Sequence, residues 1–464
     1  MEGRRYHVPV TPRRFHVETL GCPKNAVDSD KVVASLLSDG LVPADHAGDA
    51  DVVVVNTCAF VEAARQESID VILALADARK PGAQLVATGC LAERAGAELA
   101  AAIPELDAVV GFAGEGALAH AVPVALGAPR RAPTGVRDLL ELPRATPNAP
   151  WAYVKVAEGC DRACAFCAIP SFRGKQRSRT LASIEREVRE LVSGGVAEVV
   201  LVAQDLAWYG RDVDEADALT HLLHRLDRLA PDGLARVRLL YLYPSEVRDP
   251  LLATMLELPT VVPYFDLSLQ HASAPLLRRM KRWGSGERFL ALIERIRAAQ
   301  PAAAFRSSFI SGFPGETEAD HDEVLAFLAA AQLDWAGFFP FSREDGTAAA
   351  SLDGVVDDAT MRERLRELSE TQDPITAAAR HALLGAPVEV LVDRVDDASG
   401  LVVGRTHREA PEIDGVVRLH GALHARPGAL VRATVTDVEG PDLDARAQHA
   451  AVATVGRAPG EGVG

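Results

Sequence analysis

The sequence predicts an α/β protein in three parts: an N-terminal open parallel-sheet domain, a central partial (β/α) barrel and a small C-terminal all-β barrel. Three observations carry this. From Phe15 onward, short apolar strands alternate with helical patterns, the order that builds parallel sheets. About six further strand–helix units follow a proline-rich connection, fewer than the eight of a closed barrel. After Gly385 the pattern changes to short Val-rich strands broken by turns. At 464 residues the chain is too long for one core, so two or three domains are expected.

In the first part, residues 14–130, three strands end alike: residues 16–20 run into Gly21-Cys22, residues 51–57 into Cys58, and residues 84–89 into Cys90. The carboxyl ends of the strands of an open parallel sheet share one edge, where ligands bind, so these thiols are expected to converge. A single cysteine there reads as a small buried hydrophobe. Three at the same topological position, with every other cysteine in one cluster elsewhere, read as a ligand set. Between Gly111 and Pro150, the residues Pro123, Pro129, Pro133, Pro143, Pro147 and Pro150, with Gly127 and Gly135 between them, mark a connection whose linker is residues 131–150.

The second part, residues 151–384, opens with a strand at 152–157 that leads into a cysteine loop. Strands are expected at 199–203, 237–243, 264–269, 305–310 and 335–341, with helices such as 184–192 and 288–298 between them. Active residues on such a barrel belong at strand carboxyl ends. Residues 357–384 read as a helix leading away, with Met361, Leu365 and Leu368 at helical spacing. The third part, residues 385–455, shows strands at 388–392, 402–404, 416–419 and 430–435, and the last dozen residues read as a loose tail.

Composition narrows the class. An apolar fraction of 48% with 5% aromatics fits a soluble α/β protein better than a disordered or membrane one. No signal-length or membrane-length apolar run is present, so the chain is expected in the cytoplasm. Six cysteines are too few for a disulfide framework, and a reducing compartment keeps them available to metal. The net charge of −16 argues against broad attraction to nucleic acid and favours a basic protein as partner.

The most specific signal is Gly159-Cys160-Asp161-Arg162-Ala163-Cys164-Ala165-Phe166-Cys167, three thiols on a CxxxCxxC spacing. Structural zinc uses four Cys or His ligands in separated pairs, and no second CxxC or nearby HxxxH exists in the chain. Three thiolates on a cubane of four irons leave one iron open to a small molecule. Three buried core cysteines are the plainer alternative.

Over nearly its full length the chain resembles the methylthiotransferases, radical S-adenosylmethionine enzymes with an N-terminal cluster domain, a partial barrel and a C-terminal TRAM domain. The resemblance is carried by ETLGCPKNAVDSD, AEGCDRACAFCAIPSFRGKQRSR, LLYLYP, LSLQHAS, FISGFPGE, FSREDGT and GRTHREAPEIDG. Relatives acting on transfer RNA usually have Gln-Met-Asn after the first cysteine, where this chain has Pro23-Lys24-Asn25. The motifs look like the branch that methylthiolates the β-carbon of an aspartate in ribosomal protein S-twelve of the small subunit. Residues 385–445 hold eleven Asp or Glu against six Arg, a net −5, and an acidic TRAM domain suits a basic ribosomal protein rather than RNA. A solvated surface without a partner explains the charge equally well.

The resemblance implies that Cys160, Cys164 and Cys167 hold the [4Fe-4S] cluster whose open iron binds S-adenosylmethionine, and that Cys22, Cys58 and Cys90 hold a second [4Fe-4S] cluster that presents the sulfur. An unactivated C–H bond requires the radical that such a cofactor supplies, and the protein contributes positioning. A low-potential electron-donor protein is needed, whereas neither a membrane nor transfer RNA is expected as a partner. Phe166 is placed to shield the cluster or flank the adenine, or simply to pack in the core. Gln204 and Asp205 after the second barrel strand, Ser268 and Gln270 at the fourth and Arg306 at the start of the fifth are expected near the cosubstrate. So is the Gly312-Phe313-Pro314-Gly315-Glu316 turn, through exposed backbone. Arg173, Lys175, Arg177 and Arg179 form a positive strip to grip the substrate carboxylate, a phosphate, or only water. The rivals are a transfer-RNA methylthiotransferase and a non-enzymatic iron–sulfur protein for electron transfer or RNA binding.

Overall fold

The computed structural model describes residues 12–112, 138–396, 399–422 and 424–448, and all counts below are of these residues. Residues 113–137, which hold Pro123, Pro129, Pro133, Gly127 and Gly135 of the expected connection, and the expected tail fall outside them. The chain divides into two units, residues 1–145 and 146–464. Among the described residues no helix is long and apolar enough to cross a membrane.

The first unit is built from β1 (Arg14–Thr19), α1 (Pro23–Ser38), β2 (Val42–Pro43), β3 (Val52–Thr57), α2 (Glu62–Ala78), β4 (Gln84–Gly89), α3 (Cys90–Ala102) and β5 (Ala108–Val109). The strands form one parallel sheet in the order β2-β1-β3-β4-β5. The central strand β3 reads Val-Val-Val-Val-Asn-Thr and is buried along its whole length, as a parallel strand covered on both faces must be. Phe15, Val32, Leu36, Val52, Val54 and Val86 share one core. The two-residue edge strands β2 and β5 escape a pattern search because they are too short to show alternation.

The second unit begins with β6 (Trp151–Lys155), the paired stubs β7 (Ala157–Glu158) and β8 (Arg177–Ser178), and α4 (Ile169–Arg173) between those stubs. It continues through α5 (Leu181–Ser193), β9 (Glu198–Val202), α6 (Ala218–Asp227), β10 (Arg236–Leu239) and α7 (Asp249–Glu257). Next come β11 (Tyr264–Gln270), α8 (Ala274–Arg279), α9 (Gly286–Ala299), β12 (Ala304–Ser311), α10 (Glu318–Ala331), β13 (Trp335–Pro340) and α11 (Asp358–His381). Helix starts carry their own signals: Thr180, Ser273, Ser285 and Thr317 cap α5, α8, α9 and α10 with side-chain oxygens, the last in a capping box with Asp320.

The parallel sheets β6-β9-β10 and β11-β12-β13 are joined by the bridges Val237 to Val261 and Leu242 to Leu267, giving six barrel strands in succession. Val199, Leu201, Val237, Leu239, Phe265, Leu267, Phe305 and Phe309 pack in one core with Val188, Leu222, Ile293 and Leu328 of the helices. The alternate residues at the amino ends of the strands are charged, and they meet residues 405–414 of the C-terminal barrel. Glu198 pairs with Arg238 at 2.8 Å and Arg405 at 2.9 Å. The Arg238 guanidinium donates to the His407 carbonyl at 2.8 Å, and the Tyr264 hydroxyl to Asp414 at 2.6 Å.

The closed barrel follows the order β14-β15-β16-β18-β17, with β14 (Pro387–Val395), β15 (Val402–Arg405), β16 (Val417–His420), β17 (Leu430–Glu439) and β18 (Asp442–Ala447). Val390, Val392, Val402, Val417, Leu419, Val435 and Leu443 fill it. Four strands were expected here; β18 corrects that to five. Its core-facing residues are one leucine and two alanines among charged neighbours, too weak an apolar signal to stand out, and it is held by pairing with both β16 and β17.

Candidate functional site

In the first unit the three cysteines lie where β1, β3 and β4 end. Cys22 occupies the N-cap position of α1, Cys58 follows β3, and Cys90 opens α3, so two of the sulfurs sit at positive helix ends. Asn25 knits the three loops together. Its Nδ2 donates to the Leu20 carbonyl at 2.9 Å and the Thr57 carbonyl at 3.0 Å, and the Cys90 thiol lies 3.6 Å from its Oδ1. Gly21, at φ +93°, lets the first loop pass against Cys58: a Cβ there would lie 2.9 Å from the Cys58 sulfur. Sequence reasoning named Asn25 only within Pro23-Lys24-Asn25 and gave it no role, although the Gln-Met-Asn of the transfer-RNA relatives carries an Asn at the same position.

In the second unit the cysteine loop springs from the carboxyl end of β6, and the β7–β8 stubs close it. Gly159, at φ +76°, is obligatory there, because a Cβ would collide with the Lys175 carbonyl oxygen. The Arg162 amide donates to the Cys160 sulfur at 3.4 Å and the Arg282 guanidinium to the Cys164 sulfur at 3.5 Å. Burial pushes the Cys160 thiol up to about 11 and the Cys167 thiol up to about 12, the latter reinforced by the neighbouring thiols of Cys164 and Cys160. Without metal these sulfurs keep their protons, and metal binding must displace them. Among the described residues no three His, Cys, Asp or Glu side chains close on one ion. A cubane gives each thiolate an iron of its own, so its ligands need not converge on a point. Three cysteines and two N–H groups directed at sulfur fit that group.

Several of the remaining candidates lie at the carboxyl edge of the six-stranded partial barrel. Gln204 follows β9; its Nε2 donates to Glu158 at 3.0 Å while its Oε1 is buried and, among the described residues, has no partner. The Ser311 hydroxyl at the end of β12, which sequence reasoning missed, is likewise buried and unpartnered. Such atoms are what a polar ligand satisfies. Ser268 is half-buried near the end of β11, its carbonyl taken by Arg282. Gln270, at φ +74°, ends that strand at a bulge. Phe166 packs against the barrel core between two of the thiols. The Asp205 carboxylate is buried and pairs with Arg162 at 2.6 Å.

Three expectations need correction. The positive strip is not a strip: Arg173 is buried and pairs with Glu158 at 2.8 Å, and Arg179 is buried and pairs with Glu187 at 2.6 Å, leaving Lys175 and Arg177 exposed. Burial alone would raise the Glu158 carboxyl, but the Lys155 ammonium and the Arg173 guanidinium hold it well below the usual range. The turn at Gly312 and Pro314 does not expose its backbone. Glu316 accepts the Gly312 and Phe313 amides, and Arg279 takes the Pro314 carbonyl at 2.8 Å. Arg306 stands near the amino end of β12, five residues or about 17 Å from the carboxyl edge. Its guanidinium is divided between Asp266 at 3.1 Å and Asp414 at 3.6 Å.

Comparison with known proteins agrees with this layout. Family models match residues 14–111 (Uncharacterized protein family UPF0004), 154–328 (Radical SAM superfamily) and 384–447 (TRAM domain). A "Ribosomal protein uS12 methylthiotransferase RimO" of Nocardioides sp. is 43% identical, over 92% of this chain and 96% of that protein. One of Cutibacterium acnes is 40% identical, over 94% and 98%. Among solved structures, the radical S-adenosylmethionine methyltransferase TsrM from Kitasatospora setae, with cobalamin and a [4Fe-4S] cluster bound, shares the fold at a TM-score of 0.51 and 15% identity, covering 73% of this chain and 74% of that one. With the cysteine-bearing sheet edge, the half-barrel and the closed C-terminal barrel in the same order along nine-tenths of its length, this chain belongs to the ribosomal protein uS12 methylthiotransferase RimO family.

Proposed function

We propose that this chain methylthiolates the β-carbon of an aspartate in ribosomal protein uS12 by radical S-adenosylmethionine chemistry. The observation that carries the reading is the similarity to uS12 methylthiotransferases over more than nine-tenths of the chain. Cys160, Cys164 and Cys167 are the ligands of the cluster that binds S-adenosylmethionine, and Cys22, Cys58 and Cys90 those of a second cluster. When bound, these groups supply the radical that removes an unactivated hydrogen and the sulfur that replaces it.

The protein's own part is placement. Cys160 is buried and Cys167 partly so, which limits water at the cosubstrate site, and among the described residues the unpartnered Gln204 Oε1 and Ser311 Oγ await a polar ligand at the same edge. Gln204, Ser268 and Phe166 are the cosubstrate contacts. The exposed Lys175 and Arg177, just past the cysteine loop, meet the substrate carboxylate. The acidic C-terminal barrel steers a basic protein and repels phosphate. The enzyme works in the cytoplasm with a low-potential electron-donor protein.

The test is anaerobic reconstitution, then incubation of the enzyme with S-adenosylmethionine and a strong reductant alongside either uS12 or unmodified transfer RNA. Gain of one methylthio group on uS12 is expected. A gain on transfer RNA alone would overturn the substrate, and failure to cleave S-adenosylmethionine would overturn the enzyme class.

A further inference from the structure

We propose that a stack of alternating cations and aromatic rings, Arg211, Trp208, Arg162, Tyr243 and Arg282, holds the Arg282 guanidinium on the Cys164 sulfur and so sets the reduction potential of the cluster at Cys160, Cys164 and Cys167; this rests on the reading of that site given above. Arg211 and Arg162 each lie 4.3 Å from the Trp208 centroid, and Arg162 and Arg282 each lie 4.0 Å from that of Tyr243. Two guanidiniums cannot share one face of a ring at such distances, so each ring is covered on both sides. Arg211 at the far end is exposed, whereas Arg162 and Arg282 on Tyr243 are partly buried, and such contacts strengthen as water is excluded.

The charges along the stack are unevenly matched. Arg162 pairs with Asp205 at 2.6 Å and Glu246 at 3.1 Å, and Arg211 pairs with Glu246 at 2.5 Å. Arg282 differs. Among the described residues its hydrogen bonds go to the Cys164 sulfur at 3.5 Å and to the Ser268 carbonyl, and its Nε is buried without a partner. The Arg282 charge is felt by the buried Asp205 carboxylate as well, but its hydrogen bonds at this end of the stack go to a sulfur and a carbonyl rather than to a carboxylate. Its backbone is fixed for the purpose: Lys281 takes the left-handed conformation at φ +55°, and the Arg282 amide returns to the Leu277 carbonyl at 2.7 Å. The Met280 carbonyl accepts the Ala165 amide at 2.9 Å, and the Trp283 amide donates to the Tyr243 hydroxyl at 3.1 Å. The segment bearing Arg282 is thus tied to both the cysteine loop and the stacked ring.

Reduction places one electron, and so one more negative charge, on a cluster whose sulfurs share it. A guanidinium N–H on one of those sulfurs favours the reduced form, because hydrogen bonds to sulfur and local charge set cluster potentials. Arg282 is a positioning residue in this account, acting through Cys164, and the other four members act through Arg282.

The experiment uses the full chain carrying Cys22→Ala, Cys58→Ala and Cys90→Ala, so that one cluster remains, reconstituted anaerobically and titrated with dithionite as the electron source while the reduced-cluster EPR signal is recorded. Arg282→Gln is expected to weaken reduction about tenfold, which is about 59 mV more negative for a one-electron couple. Arg282→Lys should recover most of that shift, Tyr243→Leu should move the potential the same way, and Tyr243→Phe, which keeps the ring but loses the hydroxyl that accepts the Trp283 amide, should move it less than half as far. An unchanged potential in Arg282→Gln at full iron content would overturn the proposal. If that variant loses its iron, the Tyr243 pair decides: a shift with Leu at least twice that with Phe supports the stack, and anything smaller refutes it. Failure of the starting chain to take up iron or cleave S-adenosylmethionine would instead refute the reading of the site.

Discussion

Replacing Glu198 with glutamine tests whether the amino-terminal floor of the half-barrel is held by charge. This carboxylate is fully buried at the start of β9, with Arg238 Nε at 2.8 Å and an Arg405 nitrogen at 2.9 Å. The Arg405 contact is one of charge rather than an aligned hydrogen bond. Burial alone would raise the carboxyl, but Arg405, Arg238 and Arg236 outweigh it and hold it at about 2 against an ordinary 4.5. A lowering of that size corresponds to about 3 kcal/mol of folding stability at 1.36 kcal/mol per pH unit. Breaking a buried pair by removing one partner costs about 3–5 kcal/mol, since the other charge stays behind. Arg405 keeps Asp393 at 2.8 Å and Arg238 keeps two carbonyls, which places Glu198→Gln at the lower end, about 3 kcal/mol.

The assay is urea unfolding of the apo chain, followed by the fluorescence of Trp151 and Trp335 near that floor. The sign is set by a depressed carboxyl: the advantage of the wild-type chain is complete above pH 4.5 and disappears as pH falls through about 2. The two chains should therefore differ most at pH 7 and by less than half as much at pH 3. A loss under about 1 kcal/mol at pH 7, the range of an exposed pair, would refute the reasoning and mean that solvent neutralises the floor.

Three further outcomes follow from the sites. Replacing Cys160, Cys164 and Cys167 together with alanine should leave about four irons per chain, one cluster, on the N-terminal unit; iron near zero by elemental analysis would mean that Cys22, Cys58 and Cys90 are structural. In the apo chain at pH 8, Cys160 should react with iodoacetamide about a hundredfold more slowly than a cysteine titrating at 9.0, because burial holds it protonated up to about 11; mass spectrometry showing equal labelling in folded and unfolded chains would contradict this. Gly159→Ala should abolish iron uptake at the central site, whereas Gly174→Ala, at φ +73° with no atom within 4 Å of its added Cβ, should cost only about 1–2 kcal/mol of backbone strain and keep its iron. Equal behaviour of the two variants would show that the collision with Lys175 does not matter.

The large elements were legible because each repeats its signal. β3 is four valines in a row, the six barrel strands recur with helices between them, and three of the strands in the first unit run into a cysteine. Where the signal is short or weak the reading failed: β2 and β5 are two residues each, and β18 offers one leucine and two alanines. The positive strip failed for another reason. Arg173 and Arg179 look like Lys175 and Arg177 in a sequence, but Glu158 and Glu187 draw the first two inside.

By itself the sequence determined the order of the three parts and singled out the two thiol sets as candidate ligands, because hydrophobic period and thiol spacing are properties of neighbours along the chain. Only the tertiary structure decided what surrounds those thiols. It brought Asn25 among the three N-terminal loops, stacked Arg162 and Arg282 on Tyr243, took up the amides of the Gly312 turn with Glu316, and seated residues 405–414 on the charged floor of the half-barrel. Each of these joins residues with their own chain separation, from four positions to more than a hundred. Periodicity carries no information about which buried charge meets which; desolvation and the geometry of packing settle that once the chain has folded.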